Sequence, residues 1–217
     1  MQSLVETLPL PQRLALAYAP ARLRDATLGL FALDAHLASL VRKVREPLLT
    51  QARLAWWRER MEEPADQRPK GDPLLDLLVS WRDGEEALVA LVDGWEYMIG
   101  DSLDAEAIAK FTGGRAAAFA GLAALAGESS ITDVAAEAGR RWALADLAAH
   151  LGNQKERELT LEAARAVTWS HVRLPSALRP LAVLDGLARR ALDRGGTPLA
   201  DGPGAGLVAL RLGIIGR

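Results

Sequence analysis

The sequence predicts an all-α protein on three observations. Alanine, leucine, arginine and glutamate, all good helix formers, dominate, and runs of β-branched residues are nearly absent. Apolar residues recur at three- and four-residue spacing, as in Leu30, Leu33, Leu37, Leu40, Val41 and Val44. Proline and glycine cut this pattern into helix-length pieces.

Pro11 and Pro20 mark helix starts, where the first turn tolerates a missing N–H. A long helix is expected over 21–44, and Pro47 opens the next, LLTQARLAWWRERMEE. EPADQRPKGDP (63–73) reads as a loop. Further helices are expected near 74–82, 85–99, 104–126, 131–151, 155–168 and 176–194. Gly84, Gly100, Gly127, Gly152 and Gly195 fall where C-terminal caps belong. RGGTPLADGPGAG (194–206) predicts a flexible stretch before a short apolar tail, LVALRLGII. No fixed-period repeat and no strong linker divides the chain, so residues 1–217 are expected to form a single domain.

Composition narrows the function. The chain has 217 residues, half of them hydrophobic, and a net charge of −2. That charge gives no electrostatic reason for a nucleic-acid partner. Cysteine is absent, which excludes disulfides, thiolate metal sites and thiol nucleophiles. The N-terminus lacks a basic segment and is broken by Pro9 and Pro11, so it makes a poor signal peptide. The longest apolar run, AAAFAGLAALAG (116–127), falls short of the about 20 residues a bilayer span needs. The expectation is a cytoplasmic protein without a transmembrane segment, with peripheral contact at the inner membrane left open.

No phosphate loop, nucleophile elbow, zinc-protease motif or dinucleotide fingerprint is present. Phe111-Thr112-Gly113-Gly114-Arg115 reads either as a phosphate cradle or, more simply, as a kink or close helix packing. Arg53 and Trp57 lie four apart, at the spacing of a cation–π pair, and the cluster with Trp56 and Arg58 reads as a cavity wall or as core packing. Trp81, Trp95, Trp142 and Trp169 fall one per helix, as core anchors do. Asp146 and His150 are one helical turn apart, where they can share a metal or the carboxylate can orient the imidazole; more simply, they form a hydrogen-bonded pair bridging two helices, or the histidine sits near a helix C-terminus that favours its charge. His36 and His171 stand alone.

The stretch from Ala19 to Glu62 resembles the first part of the squalene/phytoene synthase family. Pro20, Arg24, Phe31-Ala32-Leu33, Glu46-Pro47 and Arg53-Leu54-Ala55-Trp56-Trp57-Arg58 stand in the order and spacing of that family's pattern. A weaker likeness continues from Leu91 to Gly152. The resemblance implies an isoprenoid-synthase-like helical bundle around a deep apolar cavity, with Arg24, Phe31, Arg53 and Trp57 as the residues lining it. In active members, two Asp-rich motifs on facing helices hold Mg²⁺ against a diphosphate leaving group, work that needs several hard oxygen ligands.

Both motifs are degraded in this chain. The first falls on Ala38, Ser39 and Arg42, and the second on Asp146, His150 and Gln154, with Asp34 one turn before the first. The resemblance therefore implies a non-catalytic branch, similar to a mitochondrial relative that assists assembly of respiratory complex I. Such a protein would need no metal or other cofactor and would bind a protein partner or an isoprenoid or other lipid. The alternative is a magnesium-dependent head-to-head prenyl transferase with a rearranged site built on Asp34, Asp146 and His150. The chain is also shorter than full-length members, which predicts reduced cavity-closing helices.

Overall fold

A computed structural model describes residues 2–42, 46–100, 102–167 and 173–216, and these are helical with no strand among them. Two short helices, α1 (Gln2–Thr7) and α2 (Leu10–Leu16), lead through a 3-10 turn into α3 (Arg24–Arg42). The helix expected over 21–44 thus begins as a 3-10 turn, because Pro20 holds extended backbone just before it; residues 43–45 lie outside the described part. Then follow α4 (Pro47–Glu62), α5 (Pro73–Leu77), α6 (Glu85–Glu96), α7 (Ala105–Leu125) and α8 (Thr132–His150). The chain closes with α9 (Gln154–Ala166), α10 (Arg179–Asp193) and α11 (Gly204–Ile214). The expected segment 74–82 is shorter as an α-helix, tightening after Leu77 into a 3-10 turn over Leu78–Trp81. Trp169 and His171 lie outside the described residues.

Side-chain caps start three of these helices. Asp72 accepts from the Leu74 and Leu75 N–H groups, Asp104 from Ala107, and Asn153 from Lys155 and Glu156. Of the five glycines expected as C-caps, Gly127 and Gly195 take the left-handed conformation, at φ +78° and +76°. Gly84 instead precedes α6 with negative φ, so it begins a helix rather than ending one.

α7 is the axis of the packing, with α6 on one side and α8 on the other. α10 lies against α8, α2 and α11, so elements from the two ends of the chain meet. The Gly113-Gly114 pair is resolved in favour of helix packing: a Cβ on Gly114 would run into the Ala90 carbonyl oxygen of α6, opposite Gly94. Close approach of this kind needs residues without side chains, and the alanine-rich faces of α7 and α8 extend it. Trp81 and Trp142 are fully buried, and the indole N–H of Trp81 donates to the Ala26 carbonyl at 2.8 Å, fixing the 78–81 turn to α3. Arg68, buried in the 63–72 loop, bonds the carbonyls of Glu63, Leu78 and Met61.

The expected flexible stretch 194–206 is tied down instead. Gly196 and Thr197 donate to the Ala191 carbonyl, Arg190 reaches the Asp201 carbonyl at 2.8 Å, and Leu199 is buried. The glycines here supply turns rather than slack, and the apolar tail becomes α11, seated on α10.

Candidate functional site

Asp34 on α3 and Asp146 on α8 are brought to one place, and Arg115 on α7 stands between them. Its Nε donates to Asp34 Oδ1 at 2.9 Å, its Nη2 to Asp34 Oδ2 at 2.9 Å, and its Nη1 to Asp146 Oδ2 at 2.8 Å. The side chains of Arg115 and Asp34 are each only 3% exposed, and that of Asp146 17%. Trp95 adds its indole N–H to Asp34 Oδ1 at 2.9 Å. Three rings surround the guanidinium carbon, with centroids at 5.2 Å for Trp95, 4.7 Å for Phe111 and 4.3 Å for Trp142.

Burial works against the charge on Arg115, yet Asp34 and Asp146 outweigh it and hold the guanidinium above its ordinary pKa. A planar fork matched to a carboxylate, with aromatic faces on the remaining sides, is the arrangement that makes a buried arginine tolerable. One cation faces two carboxylates, so the group carries an excess negative charge, and Asp146 lies at its solvent edge where water can take part of it.

Asp34 and Asp146 do not fit a magnesium site. Both oxygens of Asp34 and one of Asp146 already accept from Arg115, and a guanidinium occupies the space between the carboxylates. Magnesium demands near-octahedral oxygen ligands and retained waters. The interstice beside Asp34, bounded by Leu30, Phe31, Leu91, Arg115, Phe119 and Trp142, has no space that a water could enter. Among the described residues, no group of three or more His, Asp or Glu side chains converges to hold a metal.

The remaining site candidates do not gather here. His150 sits at the end of α8, largely exposed, with Nδ1 2.7 Å from the Asp146 carbonyl oxygen and 3.5 Å from Asp146 Oδ1. That is a histidine at a helix C-terminus held against its own helix's backbone, and not a pair bridging two helices. Phe31 is buried in the core, edge-on to Phe119. Arg24 is exposed and ties the end of α2 to α3 by donating to the Leu16 carbonyl at 3.1 Å. Arg53 is exposed, and the cation over a tryptophan on α4 is Arg60, 5.5 Å from the Trp56 ring, because Trp57 turns inward while Trp56 stays outside with the arginines. Of the four expected cavity residues, Trp57 is the one that borders a surface groove of about 460 Å³, which it lines together with His36, Ser39, Arg42, Thr7 and Asp72. His36 is not isolated, since its ring meets Trp57 edge-on at 4.9 Å.

Sequence reasoning missed Arg115 as the centre of the cluster. The signal was present: an arginine in the alanine-rich apolar α7, and an acid within an apolar stretch of each of two other helices (Asp34 in LFALDAHLA, Asp146 in WALADLAA), require one another once they are buried. No protein-family model, curated protein or solved structure matches this chain. No described helix is long and apolar enough to cross a membrane.

Proposed function

We propose that this chain is a non-catalytic binding scaffold of squalene/phytoene synthase type, in which an internal arginine stands where active members hold magnesium. One observation carries the reading: Asp146, at the place of the second lost motif, and Asp34, one turn before the first, are both committed to Arg115, and the space beside Asp34 is closed to water. A covalently fixed cation that occupies both acids leaves them no place to gather magnesium around a diphosphate. The bundle of the isoprenoid-synthase type is thereby kept as a framework, and any holding of a lipid or protein partner falls to its outer surfaces. The groove beside Trp57 is of a volume usual for small-ligand sites, about 300–1,000 Å³, and joins an aromatic wall to Arg42 and His36.

The test is incubation of the folded protein with farnesyl or geranylgeranyl diphosphate and magnesium, measuring diphosphate release against a chelated control. Release equal to the control is expected. Magnesium-dependent release that disappears in Asp34→Asn and Asp146→Asn would overturn the proposal in favour of a prenyl transferase.

A further inference from the structure

α11 carries two apolar faces, and only one is used. Ala205 and Ala209 are buried, and Val208 and Leu212 close over Gly186 of α10, where an added Cβ would collide with Leu212. Gly213 rests so closely on the Tyr18 ring that no side chain fits between them. The helix is therefore fixed on the bundle. Its outer face is Leu207, Leu210 and Ile214, spaced i, i+3 and i+7, with Ile215 just beyond; they are 69%, 49%, 65% and 54% exposed. Arg211 shares this exposed side, and the helix contains no acid.

Charge is distributed unevenly along the chain. Residues 173–217 carry seven arginines against three aspartates, a net +4, while residues 1–172 carry a net −6. Arg190 lies against Gly204 at the start of α11, and Arg179 against Gly216 at its end. A solvent-exposed leucine–isoleucine stripe beside Arg211, on a helix without an acid, matches an anionic bilayer surface: the apolar side chains enter the acyl boundary and the Arg211 guanidinium meets lipid phosphates.

We propose that α11 is a membrane-docking helix that lays Leu207, Leu210 and Ile214 into an anionic lipid surface. Two copies pairing through this face would bring the Arg211 side chains together with no acid on the helix to meet them, which opposes self-association. A protein interface would be expected to have a polar rim to set register. The outer face of α11 offers little beyond a single arginine, whereas a bilayer requires no register. The inference is independent of the Arg115 cluster and of any lost catalytic activity.

The test is co-sedimentation of the full chain with phosphatidylcholine vesicles, with and without phosphatidylglycerol. The protein is expected to pellet with the anionic vesicles only, and pelleting should fall as salt rises. Leu207→Gln combined with Ile214→Gln leaves charge unchanged and should abolish pelleting, with helicity and thermal melting preserved because both side chains are exposed. Arg211→Glu should weaken binding by about tenfold or more. Leu48→Asp, at an 81% exposed position on α4, should bind as the parent does. No pelleting of the parent, equal pelleting of the Leu207/Ile214 variant, or loss in Leu48→Asp would each overturn the proposal. So would a parent dimer that the double variant converts to monomer without any vesicle binding, since α11 would then be an interface between copies.

Discussion

The Arg115 guanidinium forks across both carboxylate oxygens of Asp34, at 2.9 Å on each side, across a sequence separation of 81 residues. This contact joins α3 to α7, and the third bond, to Asp146, adds α8. Three helices are thus tied at one buried point.

Replacing Arg115 by methionine should destabilise the protein by about 3–5 kcal/mol, because Asp34 is left buried and uncompensated. Lysine should not restore it, falling short by about 2 kcal/mol, since an ammonium cannot reproduce the fork. Combining Arg115→Met with Asp34→Leu and Asp146→Asn should recover most of the loss, as apolar replacement of a whole buried ion group commonly does. Urea unfolding of the series checks this. A triple variant as unstable as Arg115→Met alone would mean that shape, not charge, sets the cost.

The two adjacent glycines of α7 should respond oppositely to alanine. Gly113 has nothing within 4 Å of an added Cβ, so Gly113→Ala should stabilise by about 0.5–1 kcal/mol through helix propensity. Gly114→Ala drives a methyl into the Ala90 carbonyl and should destabilise by about 1–3 kcal/mol or more. Thermal melts of both variants measure the contrast, and equal shifts would mean that α6 moves away freely.

Arg141 bonds Asp185 in a bidentate pair between α8 and α10, at 2.8 and 3.1 Å. Burial pushes the Asp185 carboxyl above its ordinary pKa, and Arg141 counters this only in part. The folded state then holds the Asp185 proton to higher pH than the unfolded chain does. The resulting stability is fully present below the unfolded value of about 3.9 and is lost as pH rises through the folded value. Relative to Asp185→Asn, the parent should therefore lose stability as pH climbs through that window. Denaturant midpoints of the two proteins across the acid range test the slope, and a rising difference would contradict it.

Magnesium should leave the thermal transition of the parent unchanged, because the space between Asp34 and Asp146 is taken by Arg115. A magnesium-dependent rise in melting temperature, absent in Asp34→Asn, would place the ion at this cluster and require Arg115 to move.

Much of the helical order could be read from the sequence: α6, α7, α8 and α9 lie within a few residues of their expected bounds. Helix-forming composition and the three- and four-residue spacing of apolar residues made it legible, and Asp104 and Asn153 cap two of these starts in the structure. The reading failed where tertiary contacts decide. The 194–206 stretch has the composition of a flexible linker, but Arg190, Ala191 and Leu199 hold it in place, and their contacts are not local patterns. Arg53 and Trp57 have the spacing of a contact, yet Arg53 stays in solvent as Trp57 turns inward.

The sequence by itself determined an all-helical chain, since composition and periodicity are local properties, and it drew attention to Asp34 on an apolar helix stretch and to Asp146 one turn before His150. Only the tertiary structure decided what becomes of those acids. Burying a carboxylate obliges it to find a cation, and which cation it finds depends on the packing of α7 between α3 and α8. The Gly94–Gly114 contact brings α6 and α7 close, and on the neighbouring face of α7 Arg115 meets both acids.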